Sequence, residues 1–499
     1  MTSDKQPPQG PGSVQYQIPA AGYFEERGLR RYAGVWSLWA LGVGAVISGD
    51  FFGWNFGLAA GGFGGMCLAT VLVALMYMGM CFCIAEMSPA LPHAGGAYSF
   101  GRTALGPWGG FITGLSENME YVLTPAVIVV GVGSYLASIS ADLLGFTLAE
   151  PLWWLLCYVV FVGLNIWGVE LTFRFTLVIT CVALLILAVF WVGAVPLFTM
   201  DQALDIAPAP GHSRWLPKGL SGALEALPFA MWFYLAIEQL PLAAEEAHDP
   251  KRDMPRGLLY GMLTLFVASL LTLVLNSGIA PGAAAVSTAS DPLFLAFKTI
   301  FGDGLGASLL ALCAVAGLIA SFHTIIYAYG RNIYSLSRSG YFPRWMSVTH
   351  SRRKTPHVAL ITGAVLGYCI ALLIAFGERW FGHVPVGATL LNMAVFGAVI
   401  AYIMQMVSFL VLRRRYPEIP RPYRSPLGEA GAVIAGLLAL LCLIMLFLNP
   451  DYVLGVYGCA IWFGAGLLYF ALHGRKHLVY SPEEAFAAEH YKPVKNSQT

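Results

Sequence analysis

The chain has 499 residues, of which 11% are charged and 58% hydrophobic, and its formal net charge is +1. Soluble proteins carry about 25% charged residues, so a soluble core under a polar shell is excluded. The near-zero charge, with no basic block of domain size, argues against nucleic acid as a partner.

In chain order, residues 1–28 are polar and proline-rich, with no apolar stretch fit for a signal peptide, and are expected as a disordered tail. Apolar runs of roughly 20 residues, enough to cross a bilayer core, then recur. We expect twelve transmembrane spans, at 33–60, 63–89, 108–138, 152–169, 173–198, 220–245, 257–281, 305–337, 357–376, 387–412, 430–448 and 452–473. The nine cysteines all fall inside these runs and match neither zinc-ligand spacing nor a disulfide framework. No metal or cofactor is expected. With the N-terminus inside, 24 of the 28 Lys and Arg residues fall on inner segments, leaving Arg214, Lys218, Lys298 and Arg379 outside. Both termini are therefore expected in the cytoplasm, with the chain in a plasma membrane, the inner membrane of a bacterium.

Most spans are smooth Leu/Val/Ala runs, and two are not. Span 1 carries GVGAVISG (42–49), followed by Asp50 and the run FFGWN. Three glycines in eight residues, at about 1 kcal/mol each against Ala, make a poor helix. Span 6 is interrupted at PFAMWFYLAIEQLP (228–241), with proline at both ends and Glu238 inside. Spans 1 and 6 each begin one half of a five-plus-five repeat. In transporters built from inverted repeats, such a pair of broken helices points to the substrate site. Unwinding frees backbone groups, which is tolerable at that depth only around a cavity. The competing account is a small-residue packing seam: Gly49, Gly53, Gly57 and Gly61 recur every four residues, and the last three are assigned to it.

Four motifs then resemble one family. GVGAVISGDFF resembles the helix-1 signature of the amino acid–polyamine–organocation (APC) superfamily, a Gly-rich run ending in Gly-Ser/Thr-Gly-Ile-Phe. HAGGAYSFGRTALGPWGGF (93–111) is similar to its loop between helices 2 and 3, FYLAIEQLPLAAEEAHDPKRDMPRG (233–257) to its helix-6 exit, and GRNIYSLSRSGYFP (330–343) to the end of its helix 8. The resemblance implies an all-α polytopic membrane protein of 12 transmembrane helices. Its ten-helix core (33–412) would be a LeuT-like five-plus-five inverted repeat with helices 1 and 6 broken, working by alternating access. A basic loop (413–429), helices 11 and 12 (430–473) and a cytoplasmic tail (474–499) would follow. VISGDFFGWNFGL most resembles the ethanolamine permease group.

In amino-acid members the Gly-Ser/Thr-Gly turn offers bare amides to the substrate carboxylate. The matching positions here are Ser48, Gly49 and Asp50, so an aspartate replaces the third glycine. A carboxylate there repels a carboxylate and attracts an ammonium. The expected function is therefore secondary transport of ethanolamine or a similar small amine, with an amino-acid permease, proton- or sodium-coupled, as the alternative. Expected substrate contacts are Gly44, Ser48, Gly49, Asp50, Phe51, Glu120, Trp232, Tyr234 and Glu238, the aromatics through cation–π contacts of about 2 kcal/mol. Against this, Asp50 also suits an N-cap of the second half-helix, and the aromatics also suit core or lipid packing.

An intramembrane ionisable group is a functional candidate by default. Glu117 and Glu120 share a helix face and can bind the amine, carry a proton or form a structural pair; Glu238 is a gating candidate as well. His323 either titrates or packs between helices. Glu245 and Glu246, with Arg252, can latch the inner gate or simply pair at the membrane surface. Some proton-coupled members of that superfamily carry a lysine in helix 5; the matching place here is near Ala183, which puts that route in doubt, and a sodium site would rest on helix-1 carbonyls and Thr324. The coupling ion, H+ or Na+, stays open. No His-Glu-x-x-His, Gly-x-Ser-x-Gly or phosphate-binding loop occurs, so an enzyme is not expected. The expected partners are the small amine substrate and the lipid bilayer, with the chain a monomer or homodimer.

Overall fold

The computed structural model describes residues 14–490 apart from 147, 303–306 and 382–385. The outer parts of both expected tails, 1–13 and 491–499, and the first two residues of expected span 8 lie outside the described residues.

The chain opens with β1 (Tyr16–Gln17) and α1 (Tyr23–Glu26), then α2 (Val35–Val46), α3 (Ser48–Phe51), α4 (Phe56–Ala90) and α5 (Ala97–Leu144). Next come α6 (Glu150–Trp167), α7 (Val169–Ala194), α8 (Met200–Ala203), α9 (Gly219–Glu225) and α10 (Leu227–Ala230), then two 3-10 segments, Met231–Phe233 and Ile237–Glu246. The second half holds α11 (Pro250–Ser277), α12 (Ala283–Val286), α13 (Pro292–Phe301), α14 (Ala307–Arg338), α15 (His357–Phe381) and α16 (Val386–Arg415). It closes with α17 (Gly428–Leu448), α18 (Val453–Leu472), β2 (Leu478–Val479) and α19 (Pro482–Glu489).

Among the described residues, 11 helices are long and apolar enough to cross a membrane. The protein is a helical polytopic membrane protein. Span 1, expected over 33–60 with a break inside it, is divided: its apolar stretch Val35–Phe51 is shorter than a span. After α3 the backbone turns extended at Phe52 and left-handed at Gly53 (φ 93°). It resumes as the first turns of α4, which break again at Gly62 (φ 68°, ψ −178°). Only glycine fits there, because a Cβ would stand 2.2 Å from the Pro217 ring. Gly106 (φ 79°) divides α5 in the same way, into 97–105 and the long helix beyond it.

At the centre, α5 lies along both α14 and α16, and α2 is held between α7, α11 and α14. Large apolar side chains such as Val178, Leu185 and Ile461 face outward on α7 and α18, as a lipid-facing surface requires. Within the tail expected as disordered, residues 14–28 carry β1 and α1. β1 pairs in parallel with β2, Tyr16 opposite Leu478 and Gln17 opposite Val479. The described parts of the two tails therefore sit together on one side, called here the tail side.

Candidate functional site: two helix breaks around a cavity

The glycine run in α2 does not unwind. Residues 42–46 stay helical, and the break falls later, at 52–55. The glycines instead make a slim face for close packing. A Cβ on Gly44 would stand 2.5 Å from Thr180 Oγ1, and one on Gly49 would stand 1.8 Å from the carbonyl oxygen of Trp232. Gly49 thus brings the α3 backbone against the break in the sixth span. Ser321, unnoticed in the sequence, ties α14 to the same place: its hydroxyl donates to Gly44 O (3.1 Å) and accepts from Ser48 N (3.2 Å).

The interruption expected at 228–241 is present. Short helices α9 and α10 pass into the 3-10 turn Met231–Phe233; Ala236 then takes a left-handed conformation (φ 81°) before the 3-10 segment from Ile237. A non-glycine residue there is strained by about 1–3 kcal/mol, which surrounding packing must hold. Among the described residues, the carbonyl of Leu235, in the turn between the two 3-10 segments, accepts from no backbone donor.

Between the breaks lies a small cavity of about 30 Å³. Ser48, Gly49 and Phe52 line it from one break, Trp232, Leu235 and Ala236 from the other. Thr124, Val127 and Ile128 of α5, Ile325 of α14 and Leu391 of α16 close it. None of the lining side chains is charged. The Ser48 hydroxyl and the Leu235 carbonyl in its wall can hold an anionic and a cationic group without a formal charge on the protein.

Of the expected contacts, Ser48, Gly49 and Trp232 reach this cavity; Gly44, Asp50, Phe51, Glu120, Tyr234 and Glu238 do not line it. Asp50 is fully buried with the Thr272 side chain of α11 beside its carboxyl, and among the described residues no donor meets either carboxyl oxygen in hydrogen-bond geometry. It does not cap the second half-helix either. That position belongs to Asn55, which accepts from Gly53 N (3.1 Å) and donates to Val286 O and Ala289 O (2.8 and 2.9 Å). The Phe51 ring covers Gly317 of α14, and the Tyr234 hydroxyl bonds Ser269 at 2.6 Å.

One step from the cavity toward the tail side is a group of buried acids. Thr124, in the cavity wall, donates to the carbonyl of Glu120 (2.7 Å), and Glu238 follows Ala236 by two residues. Glu238 accepts from Tyr402 (3.0 Å) and Tyr121 (3.4 Å), and Tyr77 donates to Tyr402 (3.1 Å). The Glu120 carboxyl faces Glu238 and receives no hydrogen bond from any donor. Glu117 accepts from Asn332 at 3.3 Å. Three carboxyls are thus buried with hydroxyl and amide donors around them and, among the described residues, no cation paired with them.

Further toward the tails, Glu246 pairs with Arg331 (2.9 Å), both fully buried, and also accepts from Tyr327. Glu245 pairs with Arg338 and accepts from Ala94 N (3.0 Å). The expected partner Arg252 is exposed at the start of α11; the cations of both pairs come from α14 instead. His323 takes its packing role, between Asn165 (3.3 Å) and the Thr172 carbonyl (3.4 Å) and flanked by the rings of Phe161 and Phe175. Thr324 donates within its own helix, to Ala320 O at 2.8 Å. Among the described residues no three of His, Cys, Asp and Glu converge as a metal ion would require.

A family model described as amino acid permease matches residues 34–466. An uncharacterised transporter of Rhizobium meliloti is 29% identical over 443 residues, covering 87% of this chain and 92% of that protein. The branched-chain amino acid permease of Bacillus subtilis is 25% identical over 468 residues, covering 91% and 95% of the two chains. A methylthioribose transporter of the same organism is 25% identical over 471 residues, again covering 91% and 95%.

Proposed function

The chain belongs to the amino acid permease family, a family of transporters and not of enzymes, and from that premise we propose that it carries a small or branched aliphatic α-amino acid. The cavity supports this reading. It joins aliphatic walls (Val127, Ile128, Leu235, Ile325, Leu391) to the Ser48 hydroxyl, a donor for a carboxylate, and to the free carbonyl of Leu235, an acceptor for an ammonium. That set matches an apolar side chain, a carboxylate and an ammonium on one small molecule. The named activity of the Bacillus subtilis branched-chain amino acid permease is in line with it.

The ethanolamine reading rested on Asp50 as the ammonium's partner. With Asp50 turned toward α11 and outside the cavity lining, nothing charged waits there for a lone ammonium. The amino-acid reading is the better supported of the two.

Transport proceeds by alternating access in a twelve-helix, five-plus-five core with both tails cytoplasmic. The divided first span and interrupted sixth span support this architecture, and the lysine and arginine distribution supports the orientation. The substrate seats between the breaks, and the Glu245–Arg338 and Glu246–Arg331 pairs close the tail side beneath it. The carboxyls of Glu117, Glu120 and Glu238 take up the coupling proton. Three buried acids without a paired cation are costly unless the cluster binds a positive charge, and the two facing carboxyls suit one shared proton.

The test is uptake of radiolabelled leucine, alanine and ethanolamine into proteoliposomes, each against the other two as unlabelled competitors. Saturable leucine or alanine uptake that ethanolamine fails to inhibit is expected. Ethanolamine uptake that ignores both amino acids would overturn the proposal.

A further inference from the structure

Two motifs of the sequence meet the chain termini at one place that the transport pathway does not use. Arg102, in the 93–111 motif, is buried and forms a bidentate pair with Glu484 of α19: Nε to Oε1 at 2.8 Å and Nη2 to Oε2 at 2.7 Å. The same Nη2 donates to Val479 O at 2.7 Å, and Tyr16 of the N-terminal tail donates to Glu484 Oε1 at 2.9 Å. Gly340, in the 330–343 motif, lies directly under the C-terminal tail, where a Cβ would stand 2.2 Å from His477 O. Val479 N donates to Ser339 O at 3.0 Å.

The N-terminal tail is fastened at both of its ends. Upstream, Gln15 N donates to Arg475 O (2.9 Å), Tyr23 OH to Arg338 O (2.9 Å) and Arg27 to Ser347 Oγ (3.0 Å). Thr349 donates to Glu26 O at 2.8 Å, and Tyr334 to Arg27 O. Downstream, Tyr32 N and Ala33 N both donate to Glu246 O (2.7 and 2.9 Å), and His248 N to Ala33 O (2.9 Å). One stretch of chain therefore joins the start of α2 and the end of the interrupted span to the ends of α5 and α14.

We propose that the joined tails are an autoinhibitory strap, with Glu484 as its clasp, that holds the tail-side gate shut. Opening that side by alternating access, the reading on which this inference rests, moves α2 and the 237–246 segment away from α5 and α14. The strap spans that division, so it must release first. A carboxylate shared by a buried guanidinium and a phenol is the strongest single tie in it, because charge-assisted bidentate bonds are about twice as strong as neutral ones. Removing the carboxylate's charge shifts the gate toward the open state without touching the cavity.

The experiment reads the gate directly in the full chain in proteoliposomes. Ala244, buried beside Glu245 and Arg338 in a tail-side recess, is replaced by cysteine and labelled with a membrane-impermeant maleimide, with the protein lacking this cysteine as background. Glu484→Gln is expected to raise the labelling rate at least about fivefold, the lower end of usual coupling between sites, and to raise the uptake rate with it. A Gln17→Cys, Val479→Cys pair, opposite each other in register, is expected to stop labelling when oxidised and restore it when reduced. Unchanged or slower labelling in Glu484→Gln, with its melting temperature as in the parent, would overturn the strap. Full-rate labelling of the oxidised double-cysteine protein would do the same, even should Glu484→Gln fail to fold. Because labelling needs no substrate, a wrong substrate assignment shows as absent amino-acid uptake with labelling still responsive, and leaves the strap standing.

Discussion

Asp50 and Glu238 are both fully buried acids, one on each interrupted span, and the protein treats them in opposite ways. Glu238 receives hydroxyls from Tyr402 and Tyr121 and faces a second carboxyl, Glu120. Asp50 receives none; one threonine stands beside it. Donors aimed at a carboxyl lower the cost of holding charge there, whereas a carboxyl without them is in apolar surroundings at full desolvation cost. The difference teaches that an acid beside a helix break is not a binding group by position alone. What marks Glu238 is the shell around it, drawn from α4, α5 and α16.

The comparison breaks first at Glu238. Glu238→Gln keeps the volume and removes the site of charge, so uptake driven by an inward proton gradient is expected to fall at least about tenfold, within the usual 5–150-fold range for coupled sites. Exchange of labelled for unlabelled substrate without a gradient should stay within about threefold, because the cavity walls are untouched. Gradient-driven uptake at the parent rate would remove the cluster from coupling.

Much of the fold was legible because an apolar run of about 20 residues is a long signal. Expected spans at 430–448 and 357–376 correspond to Gly428–Leu448 and His357–Phe381. The glycine run misled, since low helix propensity yields to packing when neighbours need a slim face; Gly44 and Gly49 are helical and closely approached. Trp232 was legible as a cavity residue because the interruption of the sixth span marks it, whereas Ser48 and Gly49 line the cavity from a helical turn just before the break at 52–55. The direction of Asp50 was not: neighbours on a helix point about 100° apart, so lining by Gly49 turns Asp50 elsewhere. Tyr121, Tyr402 and Asn332 come from helices up to 215 residues away from the acids they serve, and no spacing in one sequence announces such a shell. The pairing of β1 and β2, two residues each at opposite ends of the chain, is too short to carry a periodic pattern.

A smaller effect sharpens the contrast. Tyr402→Phe takes one donor from Glu238 and leaves Tyr121 in place. The loss of one such bond is worth about 1 kcal/mol, so gradient-driven uptake should drop by roughly fivefold and its pH dependence should shift with it. An identical pH profile would mean that Tyr402 only fills space.

The smallest effect is expected at Asp50, and it decides what the other acid means. Asp50→Asn keeps the shape of the side chain, and no donor among the described residues is aimed at the carboxyl to lose its partner. An amide can still use the Thr272 hydroxyl beside it. Uptake rate and apparent affinity for the amino acid should therefore stay within about twofold, and the melting temperature should hold or rise, since a buried amide costs less to desolvate than a buried carboxylate. A loss of uptake as large as that of Glu238→Gln would show instead that Asp50 meets a positive charge during the cycle. The two acids would then be paired stations on the two broken spans, and the contrast between their shells would belong to this one conformation.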